Sequence, residues 1–463
     1  MSSIAEYLNS VSQCLNRKDS SGLLNLLTLD PTANHIPVLQ KSLINITNRQ
    51  LQEFISKENY LDNNWPSFDN YVLSYLIYVR DFNPWSILES IDLMIKVSND
   101  LSISLNNNTY NNNLLYLVQD TFDILIPLIK KIDTKLMIID KRTNNYTRLS
   151  NLSTILLKSL NNLRSDLDLN LPSNKFKQSI VMYLSIKLCQ IYYLIDSPML
   201  CNNVFSNINN LNLNVKNLQK SQLIQYRFLV GKFHFLQSNF LNAFNHFNWC
   251  FNNLHSMTNS NIIITILKYL IPSGLLIGKV INFNNFGNFN TIILNNSANY
   301  LINLYKPLTI FYKNGDLFNF TKILFNNKNY FVKLGIISSF IQRIRILIFR
   351  NLMIKIYKIN NNSLNINLIT KTLILILNPN ESKLNFKNEF LFYVFNIGNN
   401  EYLSNTYSEN ILINLIDNNL IKGKITASTK LISLSKTGTF PDIYTVYQTK
   451  YPLSSNEKWM DRS

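Results

Sequence analysis

Glu409-Asn-Ile-Leu-Ile-Asn-Leu-Ile-Asp-Asn-Asn-Leu-Ile-Lys-Gly-Lys-Ile-Thr-Ala-Ser-Thr-Lys-Leu-Ile-Ser-Leu-Ser-Lys436 is the stretch that decides the fold, because its hydrophobic period changes part-way along. Ile411, Leu412, Leu415 and Ile416 fall on one face of a helix. From Leu420 to Thr426, and again from Lys430 to Leu434, apolar and polar residues alternate, which is the period of a strand with one face covered. Ala427-Ser428-Thr429 is left as the turn. Helix, strand, turn, strand predicts the back half of a winged helix.

Upstream of this module the spacing predicts a long helix from about Tyr330 to Ile359 and another over Leu364 to Leu377. A polar connection then reaches Thr406. Further back, Gln225 to Phe251 places Gly231, Ala243, Phe247 and Cys250 at the relative spacing of the tetratricopeptide repeat (TPR). Two antiparallel helices approach closely only where a side chain is missing, so Gly231 and Ala243 admit the contact that Phe247 fills. Arg227 and His255 stand where that repeat has its tryptophan and closing proline. From Ile4 to about Leu163 apolar residues recur at helical spacing, with a turn at Asn83-Pro84 and a new helix near Ser86. Lys177 to Ile195 predicts a further helix stopped at Ser197-Pro198. The asparagine runs 106–108, 111–113 and 360–362 read as turns, since asparagine suits caps and turns better than helix interiors.

A chain of 463 residues with 46% hydrophobic residues holds more than one core, and only 10 glycines and 12 prolines favour long regular elements. Cys14, Cys189, Cys201 and Cys250 are widely spaced and form no CxxC pair, as expected of small apolar residues in a reducing compartment with no zinc site. The first residues carry no basic region followed by an apolar run, so no secretory signal is expected. The most apolar stretch, Ile262 to Ile281, contains Lys268, Lys279, Pro272 and Gly274 and reads as a buried helix rather than a membrane span.

The 44 basic and 27 acidic residues give a net charge of +17, which suits a polyanionic partner: nucleic acid or a strongly acidic protein. Solvated lysines supplied by an A/T-rich genome are the alternative. Residues 331–450 hold fourteen basic and six acidic side chains, a surplus of +8, and three of the eleven arginines fall between Arg343 and Arg350. Arg343, Arg345, Arg350, Lys422, Lys424 and Lys430 are therefore the candidate nucleic-acid contacts, the planar guanidinium suiting bidentate phosphate binding and the wing lysines alternating outward. Arg350 is also a candidate for burial in an interface. Arg80 and Asp81 read as a local ion pair holding the Pro84-Trp85 turn. The only histidines are His35, His234, His246 and His255; a metal pair of His234 and His246 with Cys250 is outweighed by simple packing. Neither a phosphate-cradling glycine loop nor a GxSxG elbow nor an HExxH helix occurs, so no enzyme, cofactor or metal is expected. Phe228, Phe233, Phe235, Phe240, Phe244 and Phe247 are expected to be mostly core, with some left to face partners.

Five motifs in order carry a family resemblance: Tyr78-Val-Arg-Asp-Phe-Asn-Pro-Trp-Ser86, Ile195 to Phe205, the hairpin Tyr226 to Phe251, Leu267 to Gly278, and the closing stretch quoted first. Together they resemble the PCI family of helical-repeat plus winged-helix subunits, and within it the messenger-RNA export branch. The resemblance implies an all-α, TPR-like superhelix followed by a C-terminal winged helix with a small β-wing. The expected domains are an N-terminal helical region 1–165, repeats 166–335, a winged-helix module 336–440 and a tail 441–463. It further implies a non-catalytic scaffold at the nuclear face of the nuclear pore. The implied partners are a GANP-type scaffold protein, a small acidic Dss-type protein, and RNA or single-stranded nucleic acid without strong sequence specificity. A protein-only scaffold in a signalosome-like assembly is the alternative. Asn-rich insertions at Asn282 to Asn296 and Lys383 to Asn405 depart from the pattern.

Overall fold

A computed structural model describes residues 2–58, 60–139, 146–165, 167, 174–211, 213–255, 258–283, 296–377, 404–426, 431–452 and 455–461. The chain forms two compact units, 1–229 together with 455–463, and 230–454.

The first unit contains α1 (Ser2–Asn16), α2 (Ser20–Leu27), α3 (His35–Leu43), α4 (Asn48–Glu58), α5 (Pro66–Asp81), α6 (Ile87–Ser104), α7 (Leu115–Ile139), α8 (Thr147–Ser165), α9 (Lys175–Leu194) and α10 (Cys201–Leu211). It also holds most of α11 (Lys220–Leu236). Burial follows the sequence period: Ile4, Leu8, Val11 and Leu15 of α1 recur every three or four residues, and all are buried. Pro66 opens α5 at the position where a missing N–H costs nothing, and α5 then buries Phe68, Tyr71, Tyr75 and Tyr78 against its neighbours. The Tyr78 hydroxyl donates to the Leu29 carbonyl at 3.0 Å, which satisfies the polar end of a buried ring. Residues 111–113, expected as a turn, form part of a short 3-10 helix, with Asn111 and Asn113 buried. Residues 455–461 pack into this unit: Trp459 is buried and donates from Nε1 to Asn209 at 2.8 Å, while Asp461 pairs with Arg227 at 2.5 Å.

The second unit continues with α12 (Phe240–Asn252), α13 (Ser260–Leu276), α14 (Asn296–Asn314), α15 (Leu317–Asn326) and α16 (Lys328–Leu334). Then come α17 (Arg345–Ile359), α18 (Ile366–Leu377), α19 (Asn405–Asp417), strands β1 (Gly423–Thr426) and β2 (Leu431–Leu434), and α20 (Ile443–Lys450). The single helix expected from Tyr330 to Ile359 is a correction. Gly335 closes α16 in the left-handed region at φ 73°, and the Ile336 N–H returns to the Phe331 carbonyl at 3.1 Å. The chain restarts through a π-helical turn, Phe340–Ile344, before α17. The break folds the chain so that buried Phe331 and Phe340 meet at a ring separation of 5.5 Å.

β1 and β2 are antiparallel, with Gly423 opposite Leu434, Lys424 opposite Ser433, Ile425 opposite Ile432 and Thr426 opposite Leu431. Ser404 caps α19 by accepting from the Tyr407 N–H, and the helix buries Ile411, Leu412 and Leu415. A hydrogen bond of 2.8 Å between the Thr370 and Ser408 hydroxyls joins α18 to α19. Asn361 and Asn362 take left-handed φ values of 46° and 61° in the turn expected there, a conformation asparagine tolerates. The expected turn 427–429, Lys430 and most of both Asn-rich insertions lie outside the described residues.

Candidate nucleic-acid interface

The three arginines predicted to act together divide their work. Arg350 is buried. Its Nε donates to the Leu420 carbonyl at 3.3 Å and its Nη2 to the Pro441 carbonyl at 2.6 Å, with the guanidinium 5.9 Å from the Phe440 ring. One planar fork thus ties α17 to the segment entering β1 and to the segment leaving β2. Burial lowers the Arg350 pKa from its ordinary value. Arg350, expected as a phosphate contact or as buried in an interface, is thus buried within the fold, with Nε and Nη2 both turned to backbone carbonyls.

Arg343 is exposed at the π-helical turn. Its Nη1 donates to the Ser238 carbonyl at 2.8 Å, and its guanidinium lies over the Phe240 ring at 5.3 Å. Arg345 is half-buried beside α19, where it lines a small recess with Tyr407. Burial raises the Tyr407 phenol, with Arg345 pulling in the opposite direction. Lys422 and Lys424 are both exposed, and residues between them and around them alternate between exposed and half-buried, so the two ammonium groups share a face of the hairpin. The backbone of Lys422 is fixed at both ends: its N–H donates to the Thr439 carbonyl and its carbonyl accepts from the Ser435 N–H. Lys430 lies outside the described residues.

The repeat residues meet as a packing unit. Ala243, Phe247 and Cys250 are fully buried, and a Cβ added to Gly231 would stand 2.9 Å from Phe247 Cε1 and 3.1 Å from His246 Cβ. His234 and His246 stack with ring centres 5.7 Å apart. His35 lies 2.9 Å from the Tyr75 hydroxyl inside a tyrosine-rich core, and burial lowers its pKa. Phe233, Phe235, Phe240 and Phe247 are buried, whereas Phe228 and Phe244 are half-buried. The Arg80–Asp81 ion pair forms at 2.7 Å, but Arg80 also donates to the Ile46 carbonyl and to Asn48, so it secures the α3–α4 connection rather than the Pro84-Trp85 turn.

Sequence reasoning missed one feature. Arg343 stands in a cleft of about 280 Å³ whose other walls include Phe240, Leu276, Tyr447 and Tyr451. Tyr447 and Tyr451 are four residues apart and stack at 6.3 Å with planes inclined by 28°. Burial raises the Tyr447 phenol, opposed by Arg343. The signal is present in the aromatic run Tyr444, Tyr447, Tyr451, which by itself reads as part of a tail.

No family model matches the chain. Known proteins nonetheless align with it. Over 98% of its length the chain is 20% identical to a PCI domain-containing protein of Schizosaccharomyces pombe, covering 97% of that protein. Over 56% of its length it is 32% identical to the nuclear mRNA export protein THP1 of Saccharomyces cerevisiae, covering 58% of THP1. Neither relative's name is that of an enzyme. No helix among the described residues is long and apolar enough to cross a membrane.

Proposed function

We propose that the chain is a non-catalytic scaffold subunit of a nuclear mRNA-export assembly, working at the nuclear face of the pore. In this reading a TPR-like stack, with Gly231, Ala243, Phe247 and Cys250 at a repeat crossing, leads into a winged helix over about 336–440. α19 and the β1–β2 hairpin are its closing helix and wing. A GANP-type scaffold and a small acidic Dss-type protein hold the chain, and Arg343, Arg345, Lys422, Lys424 and Lys430 offer a basic surface to single-stranded RNA. The observation that carries the reading is the 32% identity to a protein named for nuclear mRNA export. The RNA component is supported by the exposed Lys422 and Lys424 on one face of a hairpin whose base Arg350 anchors. Phosphate contacts read charge rather than sequence, so selectivity among RNA sequences is expected to be poor.

The test is fluorescence anisotropy of the full-length chain with a labelled single-stranded RNA across a salt series. Log affinity should fall with log salt at about 0.7 per contacted phosphate. Reversing Lys422 and Lys424 to Glu should lower both affinity and slope without moving the unfolding midpoint, because exposed charges away from caps and cores carry little stability. Co-purification from nuclei with identification of the bound chains tests the partners. Salt-insensitive or absent RNA binding, together with recovery of signalosome subunits, would instead establish the protein-only scaffold.

A further inference from the structure

The cleft beside Arg343 lies wholly within the second unit, and its chemistry is more particular than a basic surface requires. Two aromatic walls converge there: the Phe240 ring, covered by the guanidinium at 5.3 Å, and the Tyr447–Tyr451 stack. Tyr451 is 53% exposed, so much of its ring remains accessible, which a core tyrosine pair would not be. Arg343 is held at the mouth by its bond to the Ser238 carbonyl, and no carboxylate lines the cleft among the described residues. Lys450 lies 5.9 Å from the Tyr451 ring centre and donates to Asn418 at 3.1 Å. Asn418 precedes Lys422 by four residues, so the cleft mouth and the basic wing are joined through one hydrogen bond and a short run of chain.

A ligand that satisfies all of these groups carries a flat π-face for Tyr451 and a negative charge for Arg343. We propose that this cleft is a base-stacking subsite: one unstacked base of a single-stranded RNA lies on the Tyr451 face while Arg343 contacts the adjoining phosphate, the strand continuing toward Lys422 and Lys424. The proposal rests on the RNA reading of the wing and adds to it a contact to the base itself. Phosphate contacts alone would be indifferent to whether bases are present; a stacking subsite is not. The subsite stays tolerant of sequence, since every base has a π-face.

The probes are two single-stranded oligonucleotides of equal length, an RNA with one 2-aminopurine and a fully abasic strand, each titrated against the full-length chain. Wild type should quench the 2-aminopurine and bind the RNA more tightly than the abasic strand. Tyr451→Ala should remove the quenching and weaken RNA binding by about 5- to 100-fold, with the salt slope unchanged and abasic binding unaffected. Tyr451→Phe keeps the π-face and should behave as wild type. Arg343→Gln should reduce the slope by about 0.7 for both strands. An equal loss of RNA and abasic binding in Tyr451→Ala would overturn the subsite, and so would no loss at all. If Tyr451→Ala spares RNA but abolishes binding of an acidic, tryptophan-containing peptide, the cleft is a protein site. Should the Lys422/Lys424 reversal weaken wild-type RNA binding while Tyr451→Ala does not, only the subsite fails. Wild type that binds neither strand removes the RNA reading as well.

Discussion

Gly231→Ala tests the helix crossing with the smallest possible perturbation. In a helix interior alanine is favoured over glycine by about 1 kcal/mol, so a free surface would gain stability from the change. At Gly231 the new Cβ would meet Phe247 Cε1 at 2.9 Å, Phe247 Cδ1 at 3.1 Å and His246 Cβ at 3.1 Å. Carbon atoms prefer separations of about 3.5–4.0 Å, so the three contacts are each too close by roughly 0.5 Å or more. Phe247 has little room to retreat, because it is fully buried with the rings of Phe235 and Tyr269 at 6.4 and 5.6 Å. Overpacking of this kind costs about 1–3 kcal/mol, which cancels or exceeds the propensity gain and leaves Gly231→Ala destabilised by up to about 2 kcal/mol. Gly231→Leu should fare worse. Phe247→Leu alone should also destabilise by leaving a cavity, yet it removes the atoms that Gly231→Ala strikes. The double variant should therefore be more stable than the sum of the two single effects, by about 1 kcal/mol or more, in urea unfolding followed by circular dichroism. A Gly231→Ala protein more stable than wild type, or strict additivity in the cycle, would refute the crossing.

Arg350→Met should destabilise the second unit by about 2–4 kcal/mol, since the Leu420 and Pro441 carbonyls lose their donor, and Arg350→Lys should recover only part because an ammonium lacks the planar fork; thermal melts of the three proteins decide it. Trp459→Ala should lower the stability of the first unit by about 3–5 kcal/mol, with earlier proteolysis of 1–229 as the readout, and survival of that segment unchanged would contradict the docking of the C-terminal residues. Asp69 has its carboxyl pushed up to about 6 by burial. The folded chain therefore keeps a proton that the unfolded chain gives up near pH 4, so this contribution is full below about pH 4 and is lost as pH rises to about 6. Asp69→Asn should remove that part of the slope, and identical pH profiles for the two proteins would count against it.

The helical phase of α1 and of α19 was legible because one face of each of these helices is covered and the other is wet, so period and burial coincide at Ile4, Leu8, Val11 and Leu15 and at Ile411, Leu412 and Leu415. The hairpin was legible for the same reason at a period of two. What period cannot report is where a helix stops when the pattern continues beyond it. Apolar residues run on either side of Gly335, and only the left-handed backbone at that glycine separates α16 from the turn leading into α17. Nor does period report which member of a like-charged set is used internally.

Three of the eleven arginines fall between Arg343 and Arg350, and that local density is why the sequence presents them as one phosphate-binding cluster. Arg343 lies in the π-helical turn Phe340–Ile344 and Arg350 in α17, so the two do not share one regular helix. Arg343 donates to the Ser238 carbonyl and lies over the Phe240 ring, whereas Arg350 donates to the Leu420 and Pro441 carbonyls. The same guanidinium chemistry thus serves two ends. At Arg350 its geometry holds the base of the hairpin, so that Lys422 and Lys424 emerge from a fixed strand. At Arg343 its charge stays at the surface beside the Tyr447–Tyr451 pair, which is where the proposed subsite would meet a base and its phosphate.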